Sequence, residues 1–178
     1  MAMGRAMDDV IIAAATGTSF TGETGATSTA AQTAIAAGGA GLTIAKLRTA
    51  KQTFDLASVD PSIPRHIVVG PEQITNLLST TEVTSSDFNT VKALVQGEID
   101  SFLGFKFTVS NRLAKSGNDR TCIAFAQDGI TLAIGKDVSA RIDERADKSY
   151  ATQVYYCQSI GATRMEEAKV LGIVCQEA

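Results

Sequence analysis

His66 is the only histidine of this sequence, and Cys122, Cys157 and Cys175 are the thiols it could activate. A cysteine nucleophile needs a base within hydrogen-bond reach, and such partners meet in space, so spacing along the chain leaves a dyad open. His66 stands beside Arg65 at the head of the apolar run His66-Ile67-Val68-Val69, where a histidine reads first as a hydrogen-bonded strand residue. Gly17-Thr18-Ser19-Phe20-Thr21-Gly22-Glu23-Thr24-Gly25 is glycine-rich enough to suggest a phosphate loop. It lacks the Gly-Lys-Ser/Thr ending whose lysine and hydroxyl reach phosphate and magnesium, and reads as a plain loop. A small cytosolic enzyme or ligand-binding domain, the second reading of this chain, would have to use the Gly17–Gly25 loop together with His66. No two of His66, Cys122, Cys157 and Cys175 have close metal-ligand spacing. Asp143-Glu144 and Glu166-Glu167 are paired carboxylates of the kind that serve acid-base work or a hard cation. Neighbours on a strand point to opposite faces, however, so these pairs read as solvated surface. No catalytic, cofactor-binding or metal-ligating residue is assigned, and no cofactor is expected.

The whole sequence bounds what such residues could be part of. At 178 residues with 44% apolar content, the chain can bury a real core. A net charge of −3 gives no basic field of the kind that holds duplex DNA, so no sequence-specific nucleic acid is expected as a partner. No window approaches the roughly 18 consecutive apolar residues of a membrane-spanning helix, and no membrane partner is expected. Met1 to Asp9 lacks the charged head, apolar run and cleavage site of a secretory signal. Three cysteines at wide spacing fit reduced thiols acting as small core hydrophobes.

The elements that must position these residues follow from periodicity. Met7, Val10, Ile11 and Ala14 recur at helical spacing over Met3–Ala15, and Gly17 ends that helix. Thr16–Gly41 shifts to Gly, Ala, Thr and Ser, which predicts a long surface loop. Leu42–Leu56 returns to helical period, with Ile44, Leu47, Ala50 and Phe54 along the inner side and Lys46, Arg48, Lys51 and Asp55 elsewhere. Pro61 and Pro64 force the chain out of helix. The strand at His66–Val69 gives way at Gly70-Pro71 to a helix with Ile74, Leu77 and Leu78 inside. A further helix is predicted over about Asp87–Gln96. Phe105–Val109, Cys122–Ala126 and Ile130–Ile134 are short apolar strands, the last two joined by the turn Gln127-Asp128-Gly129. Val138, Ala140 and Ile142 alternate with polar residues, as do Val154 and Tyr156, across a charged turn at Glu144–Ser149, and Lys169–Cys175 supplies a final strand. A helix-rich first half and a strand-rich second half argue for the α+β class over a doubly wound sheet.

The run Ile63–Leu113, reading IPRHIVVGPEQITNLL and later GEIDSFLGFKFTVSNRL, resembles the major coat proteins of tailed bacteriophages with the Hong Kong 97-type capsid fold. The match covers most of Leu42–Cys175 and rests on hydrophobic pattern and on glycine and proline positions. It implies an axial wedge domain over residues 64–133, with residues 1–63 forming the helix, loop and helix of a peripheral domain. Residues 134–178 would then be antiparallel strands returning to that peripheral domain. The family usually carries an N-terminal arm, an extended hairpin loop and a long spine helix ahead of the residues that Gly4–Gly17 resemble. The expectation is therefore an N-terminally truncated portion of a longer coat protein, with a natural short relative as the alternative.

The implied function is structural: a major capsid protein of a tailed phage or prophage, assembling in the host cytoplasm into an icosahedral virion shell around DNA. Its partners would be copies of itself in pentamers and hexamers in the full-length form, and the short chain by itself could remain monomeric. Under that reading the charged clusters gain interest. Arg141, Asp143, Glu144 and Arg145 crowd one end of the predicted hairpin, and Arg164, Glu166 and Glu167 the next. These mixed-sign patches suit contacts that set register between like subunits. They equally suit protection of exposed sheet edges.

Overall fold

Residues 2–29, 32–79 and 101–177 are described in the computed structural model of the chain. Helical period decides the first half. Ala2–Thr16 form α1 and Ile44–Leu56 form α2, whose cap Thr43 accepts the Lys46 amide through its side chain. Ile44, Leu47, Ala50 and Phe54 are buried as their spacing predicts. Lys46 is buried too, against expectation. Its Nζ donates to the carbonyls of Ala40 (2.7 Å), Gly41 (2.9 Å) and Val174 (3.0 Å), three acceptors that match the three donors of an ammonium group. Arg65–Val69 form β4, and Pro71 opens α3 (Pro71–Leu78) at the first helical position, where its missing N–H loses no hydrogen bond. Leu77 is buried, and Ile74 and Leu78 pack partly against the core. The helix predicted over Asp87–Gln96 lies outside the described residues.

The core sheet runs in the order β3 (Gln32–Ile35), β11 (Val170–Gln176), β8 (Asp119–Ala126), β4, β6 (Phe105–Val109), β5 (Ser101–Phe102), with β7 (Lys115–Ser116) paired to the start of β8. The β3–β11 and β4–β6 pairs are parallel and the others antiparallel. One face carries Ile67, Val69, Phe105, Phe107, Cys122, Ala124, Leu171 and Ile173, all buried. Phe54 of α2 meets this face with its ring centroid 6.0 Å from that of Phe105. The opposite face carries Ile123 and Val170, which line a cavity of about 270 Å³ with Ala15 and Thr16 at the end of α1.

Four expectations change here, each because pairing across the sheet is not written in local sequence. The Thr16–Gly41 segment is not merely loop. Ser19–Thr21 (β1) and Thr27–Thr29 (β2) make a small antiparallel hairpin, and β3 joins the sheet edge. A ladder uses backbone groups, and β-branched threonines suit extended backbone without a large side chain. The Asp128-Gly129 turn forms, with the Gly129 amide donating to the Ala126 carbonyl at 2.8 Å, but it closes no hairpin. Both edges of β8 are already taken by β4 and β11, so the chain leaves the sheet. It leaves as a single strand, β9 (Ile130–Arg145), where two short ones were predicted, and pairs only with β10 (Ala151–Arg164). Register shifts on either side of Ser159 absorb the extra β9 residues. Finally, Val170–Gln176, expected among strands returning to a peripheral domain, is hydrogen-bonded into the same sheet as β4, β6 and β8.

Candidate assembly surfaces

The residues singled out in the second half fall at the two ends of the β9–β10 ribbon. At its tip a short 3₁₀ turn, Ala146–Lys148, is followed by Ser149 and Tyr150 in left-handed conformation, φ 52° and 60°. Arg141, Asp143, Glu144 and Arg145 are exposed there. Arg145 forms a two-point ion pair with Asp147 (2.9 and 2.5 Å), a small stabilisation at so open a position.

At the base the picture is different. Glu166 and Glu167 are exposed, and Lys169 bridges Glu166 (2.8 Å) and Asp128 (2.6 Å). Those two carboxylates, Asp128 first, push the Lys169 ammonium up to about 12. Arg164 is buried, with 4% of its surface exposed. Its guanidinium donates to the carbonyls of Ala15 (3.2 Å) and Gly17 (2.8 Å) and to the Ser19 hydroxyl (3.4 Å). A helix end leaves its last carbonyls without partners, and a cation there satisfies them. Arg164 therefore holds α1 to the ribbon and is withdrawn from the assembly set. Arg164→Ala is expected to lower stability by about 2–3 kcal/mol, since it leaves buried carbonyls unmatched, as read by chemical denaturation. The two charged clusters are separated by the length of β10, roughly 40 Å at about 3.3 Å per residue, and form two surfaces.

The residues that could have done chemistry are not brought together. His66 stacks on Phe125, its strand partner, with ring centroids 5.6 Å apart and planes 22° apart. By register Cys122 and Cys175 lie on the other face of the sheet from His66. Both are buried, as expected of core hydrophobes. A hydrogen bond with Cys175 and burial push the Cys122 thiol up, away from the reactive thiolate. Cys157 departs from that expectation: it sits half-exposed on the ribbon. The Gly17–Gly25 segment is spent on the β1–β2 hairpin, with Gly22 and Gly25 at φ 87° and 64° in its turn.

Sequence reasoning missed a buried charge cluster at the other end of the sheet. Glu177, 2% exposed, is paired with Arg120 and with Lys115 (2.5 Å), and accepts a hydrogen bond from buried Gln73 of α3 (3.2 Å). Its own amide donates to the Asn118 carbonyl at 2.7 Å. Arg120 first, then Lys115, hold the Glu177 carboxyl down at about 2. No local pattern marks a penultimate glutamate as buried.

A mixed α+β sheet with a long excursion hairpin is matched by the Hong Kong 97-type fold of phage capsids. Solved structures match it at low identity. A chain from the capsid of Ralstonia phage GP4 superposes with a TM-score of 0.70 at 11% identity, covering 99% of this chain and 65% of that one. A chain from Mycobacterium phage Che8 gives 0.68 at 19%, covering 97% and 60%. One from the head of Helicobacter pylori bacteriophage KHP40 gives 0.68 at 12%, covering 98% and 66%. The chain thus spans less than two thirds of the length of these relatives. No curated protein matches it. The family model described as phage capsid protein matches residues 1–177, and the chain belongs to that family.

Proposed function

We propose that this chain is the structural portion of a tailed-phage or prophage major capsid protein that tiles with copies of itself into an icosahedral shell around DNA. The observation that carries the reading is a fold shared along nearly the whole chain with capsid and head proteins, together with its family membership. The work is done by contacts between identical subunits, in pentamers and hexamers, with no turnover. The virion capsid is its place and the host cytoplasm its site of assembly. In this reading the sheet built on residues 64–133, with β11 added, is the axial part of the subunit, and α1 with the ribbon is peripheral. The test is protein mass spectrometry on particles purified from cells that make the protein. Peptides of this chain as a main constituent of DNA-containing particles support the reading. Their confinement to the particle-free fraction overturns it.

Arg141, Asp143, Glu144 and Arg145 at the ribbon tip are the proposed assembly contacts, with Glu166 and Glu167 at its base. Mixed charge at such a contact fixes orientation more than affinity. Reversing Arg141 and Arg145 to Glu together is expected to lower particle yield at least tenfold on a density gradient. Subunit stability should move by no more than about 0.5 kcal/mol, because exposed charges contribute little to it.

A further inference from the structure

We draw no further inference here: the strongest candidate, the cavity of about 270 Å³ between the end of α1 and the sheet face that carries Ile123 and Val170, is lined mainly by small residues such as Ala15, Ala34, Ala114 and Gly172, and nothing among the described residues shows what occupies it.

Discussion

Glu177→Gln is expected to lower the stability of the chain by about 2–3 kcal/mol at neutral pH, a fall in Tm of about 5–10 °C for a domain of this size. The reason is the company the carboxylate keeps. Arg120 and Lys115 both turn their charge to it, and Gln73 donates to it from a fully buried position on α3. Removing the negative charge leaves Arg120, itself only 14% exposed, facing a neutral amide. Breaking one side of a buried pair costs about 3–5 kcal/mol, and the figure is reduced here because Lys115 can turn to water. The loss should spread through several elements, since Glu177 joins the end of β11 to β7, β8 and α3.

The same cluster sets a pH dependence of known sign. The Glu177 carboxyl sits at about 2 in the folded chain against an ordinary value of 4.5. Its contribution is complete above the ordinary value and is lost as pH falls through the folded one. The gap corresponds to at most about 3 kcal/mol, withdrawn between about pH 4.5 and pH 2. Denaturant unfolding at pH 7 and near pH 3 should therefore show the difference between wild type and Glu177→Gln shrinking in acid. A difference that stays constant would mean the variant acts through packing alone.

The contrast between Phe54 and Glu177 shows what the chain declares about itself. Ile44, Leu47, Ala50 and Phe54 announce their helix and its buried side because the signal is periodic and contained within thirteen residues. Gly70-Pro71 fixes a strand-to-helix turn by stereochemistry, and Phe105–Val109 reads as a strand because it is a short apolar run. Lys46 reads as lying off the inner side of its helix and Arg164 as part of a surface charge cluster, while nothing local singles out Glu177, and all three are buried. Their partners lie up to 149 residues away, Ala15 for Arg164 and Val174 for Lys46 among them. No local rule tells a charge that a carbonyl or guanidinium from elsewhere will meet it. The strand order suffers in the same way: β11 lies beside β8 because of where the ribbon returns the chain, and nothing in residues 170–176 says so. Charge density and a predicted hairpin end coincide at Arg141, Asp143, Glu144 and Arg145, and these residues are exposed at the ribbon tip. Arg164 is buried instead, because its partners come from the end of α1.

Phe54→Ala is expected to be the most damaging single change, costing about 3–5 kcal/mol. The ring is fully buried and stands between two layers. On the sheet side it meets Phe105 in a tilted arrangement at 6.0 Å, a geometry that adds to the value of burial itself. On the other flank the Arg65 guanidinium lies 5.5 Å from its centroid, anchored to Asp55 (2.8 Å) and to the Val59 carbonyl (3.2 Å). Truncation would thus open a cavity and remove the aromatic surface on which a 7% exposed guanidinium rests. Phe54→Leu, which keeps most of the volume but not the ring, should recover more than half of the loss if volume dominates. If it recovers little, the aromatic contacts with Phe105 and Arg65 carry the larger share. Guanidinium chloride unfolding of both variants decides between the two, and Arg65→Met in each background measures how much of the Arg65 contribution depends on the ring.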